Sequence, residues 1–173
     1  MPGSPYVRPV IIIVMGVSGC GKSTVGRLVA GQLGFEFRDG DDFHPAANVA
    51  KMRAGTPLDD ADRKPWLEAI ATYMRITHNE GRGAVVACSA LKAAYRNILL
   101  RHEPWVRFVH LTGPREVIAE RLKARAGHFM PPTLLDSQFA TLETPPDAWS
   151  EDLRRTPEEI AASIVGRVRN SQG

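Results

Sequence analysis

The sequence predicts an α/β fold, a parallel sheet covered on both faces by helices. Two observations carry that prediction. Short apolar or alternating runs near Val10, Phe35, Ala84 and Val106 alternate with stretches whose apolar residues recur at helical spacing. The first run, Val10 to Met15, passes directly into Gly16-Val17-Ser18-Gly19-Cys20-Gly21-Lys22-Ser23 and then into a helical stretch. This is G-x-x-x-x-G-K-[ST] in the strand-to-helix context that gives the pattern its meaning. Its glycines let backbone N–H groups turn inward around phosphate oxygens, and the helix N-terminus adds a favourable dipole. The cofactor-binding set is therefore Gly16 through Ser23 with Thr24. Within it Lys22 reaches the β- and γ-phosphates of a nucleotide and is catalytic, and the Ser23 hydroxyl holds Mg²⁺.

The first strand is β-branched and uninterrupted, as a strand buried on both faces should be. Val25, Leu28, Val29 and Leu33 share one face of the following helix, and Gly34 sits where a helix ends. Phe35 to Arg38 alternates and reads as a second strand. It runs into Asp39-Gly40-Asp41-Asp42-Phe43-His44-Pro45. In extended chain Asp39 and Asp41 project the same way, one to serve the metal shell and one to orient and deprotonate an attacking hydroxyl. Asp42 reads as a helix cap, with Pro45 opening a short helix over Ala46 to Arg53. A long helix follows Pro65, with Trp66, Ile70, Tyr73, Met74 and Thr77 inward. Arg63 and Lys64 read as solvated charges.

Ala84 to Cys88 is a third strand, and Ser89 reads as the N-cap of the next helix. In that helix Lys92 and Arg96 lie four apart on one face, either as a solvated basic face or around a shared anion. Ser89, Lys92 and Arg96 stand just past a strand's carboxyl end, where open α/β sheets bind ligands. Val106 to Leu111 is a fourth strand, followed by a helix from about Pro114. Arg121 and Arg125 lead from it into a Gly- and Pro-containing break, read as a lid over about 122–140 that closes on phosphates. Thr133 to Glu143 is helical. A fifth strand is expected near Ala148 to Leu153, although that stretch is polar. Thr156-Pro157-Glu158-Glu159 opens the last helix.

The 173 residues suit one domain, 1–173, with an ordinary apolar fraction and mixed charge. No apolar run is long enough to span a membrane, and Met1 to Pro9 lacks a signal-like apolar region, so the expected setting is cytoplasmic. A net charge of +3 suits small anionic ligands. It is too weak and too dispersed to argue for nucleic acid. Two cysteines make no disulfide framework; Cys20 lies among loop N–H groups, which lower a thiol's pKa, but reads first as a small residue that fits the loop.

Two function classes fit: a small-molecule kinase and a nucleotide-dependent binding switch. The guanine-reading string N-K-x-D and the switch string D-x-x-G are absent. Paired acids, a basic cluster and arginines beside a lid favour the kinase.

Several separated motifs then agree in order and spacing. They are Asp39 to Pro45, Asn48 with Lys51-Met52, Gly55 to Leu58, Asp62-Arg63-Lys64-Pro65-Trp66-Leu67, Cys88 to Lys92 with Tyr95-Arg96, and Arg121 to Arg125 with Gly127-His128-Phe129. Over about Ile11 to Glu143 the chain resembles gluconokinases, with shikimate kinases as more distant relatives of the same layout. The resemblance implies a five-stranded sheet in the order 2-3-1-4-5. It also implies ATP- and Mg²⁺-dependent phosphorylation of D-gluconate to 6-phosphogluconate, feeding the pentose phosphate pathway, and a homodimer. Under it Lys92 and Arg96 grip the gluconate carboxylate, and His44, Arg53 and Ser89 face its hydroxyls or carboxylate. Asp41 is the base and Asp39 serves the metal. Arg121 stacks on adenine, and Arg125 reaches the γ-phosphate as a catalytic group.

Overall fold

The structure is a computed structural model that describes residues 7–124 and 132–173. Its elements are β1 (Ile11–Met15), α1 (Lys22–Leu33), β2 (Glu36–Asp39), a 3₁₀ turn (Gly40–Phe43), α2 (Ala46–Arg53), α3 (Asp60–Asn79), β3 (Ala84–Ala87), α4 (Ala93–Ile98), β4 (Val106–Thr112), α5 (Arg115–Ala124), α6 (Pro132–Thr141), β5 (Trp149–Asp152) and α7 (Pro157–Ser171). The sheet order is β2-β3-β1-β4-β5, and every pairing is parallel.

The central strand explains the two layers. Ile12 and Val14 face a core built with α1, α5, α6 and α7; Ile11, Ile13 and Met15 face one built with α3 and α4. Alternation on a strand buried on both sides leaves no polar position, so β1 reads as an unbroken apolar run.

Three expectations are corrected. Helix α3 begins six residues before Trp66, at Asp60, with Asp59 and Asp62 forming a reciprocal capping box and Pro65 inside the helix. Pro65 is the sixth helical residue, past the N–H groups that lack partners, so the helix forgoes one main-chain bond there. The N-cap of α2 is Pro45, without a side-chain cap, so Asp42 does not cap it. The capping acid of this stretch is Asp39, whose carboxylate accepts from the Asp41 N–H at the 3₁₀ turn. Helix α4 starts at Ala93 with Lys92 as N-cap, not at Ser89. Between them Ala90 is held at φ 47, a left-handed conformation that ends the helical path from Ser89.

Strand β5 forms where expected, paired with β4 from Val109↔Trp149 to Thr112↔Asp152. Its polarity has a local cause. Glu151 is 3% exposed, accepts from the Ser163 hydroxyl at 2.7 Å, and pairs with Arg167 and Arg155. A buried acid satisfied by α7 stands where an apolar residue is usual.

Candidate active site

The carboxyl ends of β1, β2 and β3 meet at one cleft. The phosphate loop crosses it from Gly16 to Lys22. Gly16 has φ 146, and a Cβ there would stand 2.9 Å from the Leu111 carbonyl oxygen and 2.7 Å from the Cys20 sulfur. Only glycine fits both constraints. The Gly16 N–H donates to the Ser89 carbonyl, which ties the loop to the end of β3. Lys22 Nζ folds back onto the Gly16 and Val17 carbonyls at 3.0 and 3.1 Å, so its ammonium already sits inside the loop.

Asp39, at the tip of β2, comes within 3.5 Å of the Ser23 hydroxyl. Sequence alternation brought Asp39 and Asp41 together for the wrong reason, since the chain is no longer extended at Gly40. The 3₁₀ turn unites them instead, through the 3.0 Å bond from the Asp41 N–H to Asp39 Oδ1. Gly40 makes that turn possible: a Cβ there would stand 2.6 Å from the Ala87 carbonyl. Partial burial, and next the Asp39 carboxylate, raise the Asp41 carboxyl above its ordinary range. Its side chain is nonetheless 85% exposed, so water screens the charge and the direction of the shift is what bears on chemistry.

His44 backs Asp41. Its side chain is only 4% exposed, and Nε2 lies 3.8 Å from Asp41 Oδ1. The ring stacks on Trp66 at 4.2 Å, and the Trp66 indole N–H donates to the Gly40 carbonyl at 2.7 Å. Burial lowers the His44 pKa, so the ring is neutral at physiological pH. Its tautomer follows from Asn48. The Asn48 amide nitrogen donates to the Asp62 carbonyl at 2.9 Å and lies 3.2 Å from His44 Nδ1. An amide nitrogen only donates, so Nδ1 accepts and the proton resides on Nε2, toward Asp41.

The opposite wall is made by α3 and the start of α4. Lys92 pairs with Asp60 at 3.1 Å, the Tyr95 hydroxyl donates to Asp60, and Arg63 donates to Tyr95 at 3.3 Å. Tyr95 and Lys92 hold the Asp60 carboxyl below its ordinary range, which keeps it ionised. Arg63 read from the sequence as a solvated charge, and neither Asp60 nor Tyr95 was given a role there. The available signal was Asp59-x-x-Asp62, a capping pattern that moves the start of α3 upstream and turns Arg63 inward.

Arg96 does not join Lys92 around an anion. It is 2% exposed, and its guanidinium donates to the Ala90, Leu91 and Glu143 carbonyls at 2.8, 3.1 and 2.8 Å. Because Lys92 is the N-cap and not a residue of the helical face, the four-residue spacing does not align the two charges. Arg53 closes α2 and is exposed. Arg121 donates to the Leu153 carbonyl. Arg125, Gly127, His128 and Phe129, and with them the middle of the expected lid, lie outside the described residues.

Neither thiol is activated. Burial raises Cys20 despite the opposing influence of Lys22, and raises Cys88 to about 12. At Cys20 desolvation outweighs the lowering by Lys22 and the loop N–H groups.

Comparison with known proteins gives the relatives of the whole chain. The family model for shikimate kinase matches residues 18–165. The chain is 49% identical over 141 residues to a gluconokinase from Gluconobacter oxydans, covering 82% of this chain and 79% of that one. It is 48% identical over 159 residues to the thermosensitive gluconokinase of Escherichia coli, covering 92% and 85%. The crystal structure of a gluconokinase from Sinorhizobium meliloti matches with a TM-score of 0.84 at 41% identity, over 95% of this chain and 94% of that one.

Proposed function

This chain belongs to the gluconokinase family and falls within the shikimate kinase family model, and from that premise we propose that it transfers the γ-phosphoryl group of ATP to D-gluconate, forming 6-phosphogluconate. The observation that carries the reading is the cleft itself. A phosphate loop, an acid beside the Ser23 hydroxyl, and a second acid backed by a neutral histidine converge opposite a wall bearing Lys92 and Arg63.

The roles follow from the chemistry each group offers. Loop N–H groups and Lys22 hold the phosphates and offset charge that grows on them during transfer. Asp41 takes the proton of the attacking hydroxyl. Its raised pKa makes it a stronger base than an ordinary aspartate. His44 backs Asp41 as a packed neutral ring with Nε2 3.8 Å from Oδ1, longer than a hydrogen bond. Lys92 and Arg63 recognise the gluconate carboxylate, in place of Arg96. The Lys92–Asp60 pair is exposed and therefore weak, so a substrate carboxylate can replace Asp60 as its partner.

Ser23 and Asp39 fit Mg²⁺, a hard cation that prefers oxygen donors. Among the described residues no three His, Cys, Asp or Glu side chains gather as a metal cluster. That suits an ion held mainly by phosphate oxygens and water. When bound, it supplies positive charge to the phosphates.

A homodimer, a single domain over 1–173 with a lid over about 122–140, and a cytoplasmic setting complete the proposal. No helix among the described residues is long and apolar enough to cross a membrane.

The test is an ATP-consumption screen of the purified chain with gluconate, other aldonic acids, shikimate and nucleoside monophosphates. Gluconate-dependent ADP release is expected. Preference for shikimate would transfer the reading to that substrate, and turnover only with a protein partner would replace it by a switch.

A further inference from the structure

Helix α6 touches both halves of the cleft. Near its C-terminal end Gln138 makes a two-point contact with the phosphate loop. The Ser18 N–H donates to Gln138 Oε1 at 2.7 Å, and Gln138 Nε2 donates to the Ser18 hydroxyl at 2.9 Å. Five residues on, Glu143 grips the acceptor wall. Its N–H donates to the Leu91 carbonyl at 2.8 Å, and its carboxylate accepts from the Ala93 N–H at 2.9 Å, at the first residue of α4. The Glu143 carbonyl in turn accepts from Arg96.

These contacts suit their residue types. An amide carries one acceptor and one donor group, and the Ser18 N–H and hydroxyl need that pair. A glutamate at 138 would offer acceptors alone and set a negative charge beside the phosphate site. At 143 a carboxylate on the first N–H of α4 satisfies a helix-end donor and meets the positive end of that helix. The main chain between the two contacts is held by the Leu142 N–H bond to the Gln138 carbonyl at 2.9 Å. One short stretch therefore fixes the loop that carries the phosphoryl donor and the helix start that faces the acceptor.

We propose that Gln138 and Glu143 are positioning residues, and that the end of α6 is a strut setting the separation of the two substrates. Nucleotide and sugar-acid binding are then coupled through it. The inference rests on the gluconokinase reading for the identity of the acceptor. Gln138→Ala leaves Lys22, Ser23, Asp39 and Asp41 in place and frees one end of the strut. In-line transfer tolerates little misplacement, so kcat should fall about 10- to 100-fold.

The experiment uses the full chain with three readouts. Hydrogen exchange of the Ser18 amide without nucleotide should be slow in wild type and fast in Gln138→Ala. Calorimetry with AMPPNP should give nearly wild-type affinity in Gln138→Ala without gluconate, but a smaller gain when gluconate is added. Steady-state kinetics should show the fall in kcat, with Glu143→Gln, which keeps the acceptor oxygen, close to wild type. Gln138→Ala combined with Glu143→Ala should cost no more than the worse single change, since both break one strut. Should Gln138→Ala lose cooperative unfolding, Gln138→Met, of the same length without polar ends, takes its place.

Unchanged Ser18 exchange, unchanged kcat, or AMPPNP affinity falling in parallel with kcat would each overturn the strut. Wild-type failure with gluconate would instead overturn the assigned acceptor. The exchange readout and AMPPNP binding alone need no gluconate, so they judge the contact separately.

Discussion

Replacing Arg96 by alanine should weaken the fold more than it strips a substrate ligand. The guanidinium is buried and serves three carbonyls, two of them in bonds that are themselves buried. Leaving a buried carbonyl without a partner costs about 1–3 kcal/mol, and the two together give roughly 2–6 kcal/mol. Two effects pull toward the lower half of that range. Water can replace the part-buried bond to Glu143. The Arg96 Nε has no partner among the described residues, so deleting it relieves an unpaid desolvation cost. A loss of about 3 kcal/mol is expected, which for a chain of this size lowers Tm by about 6–12 °C. The bond to Ala90 also holds a residue in the left-handed region, so the 89–92 turn should loosen first. Arg96→Lys should fall between, because a compact ammonium cannot span the fork of acceptors. The assay is thermal and urea unfolding, followed by kinetics well below Tm. A Tm within about 2 °C of wild type, with a selective rise in the KM for gluconate, would refute the clamp and make Arg96 a ligand.

Lys22→Ala should lower kcat by at least about 100-fold in a folded protein, since one charge-stabilising contact is lost; near wild-type turnover would end the phosphate-loop assignment. Asp41→Asn should bind AMPPNP normally and lose about 10²–10⁴-fold in kcat, and the acid limb of the wild-type profile should lie above that of an ordinary aspartate. The sign for stability runs the other way. A carboxyl raised by folding contributes stability below its unfolded pKa and loses it as pH rises through the folded value, so at neutral pH Asp41→Asn should melt no lower than wild type. Asp39→Asn should show a raised Mg²⁺ requirement that added Mg²⁺ partly repairs; rescue of Asp41→Asn alone would reverse the two roles. Cys20 and Cys88 should resist a thiol reagent at pH 8 until the chain unfolds, and fast labelling of the native protein would contradict their burial.

The fold was legible wherever one signal decided an element. The β1 run has no polar residue to confuse it, and Thr156-Pro157 with Glu159 marks the start of α7 through a cap that does form, the Glu159 N–H donating to Thr156 at 3.1 Å. Boundaries failed where two local rules competed. Pro65 reads as a helix start, yet the Asp59–Asp62 box lies upstream and has two hydrogen bonds behind it. Ser89 reads as an N-cap, but tertiary contacts hold Ala90 out of the helix and delay α4 to Ala93. In β5 the inward residue is Glu151, and its partners Ser163, Arg155 and Arg167 lie elsewhere in the chain. No periodicity analysis sees a charge that is neutralised by another element.

The site divides along the same line. Main-chain chemistry is local, so the phosphate loop could be found from its spacing, whereas Asp39 and Asp41 meet through a 3₁₀ turn that alternation does not describe. Side-chain chemistry at the acceptor wall is not local, and charge type alone misassigned it. Arg96 and Arg63 are both arginines near helix starts. One is enclosed by three carbonyls and holds the wall; the other meets Tyr95 at its edge. What separates them is whether the fold already supplies enough acceptors to satisfy the charge. A satisfied, buried guanidinium has little left to offer a substrate, whereas an exposed cation in a weak pair can exchange partners. On that criterion Lys92 and Arg63 are the cations proposed for the acceptor carboxylate, and Arg96 is the residue that ties Ala90, Leu91 and Glu143 together behind them.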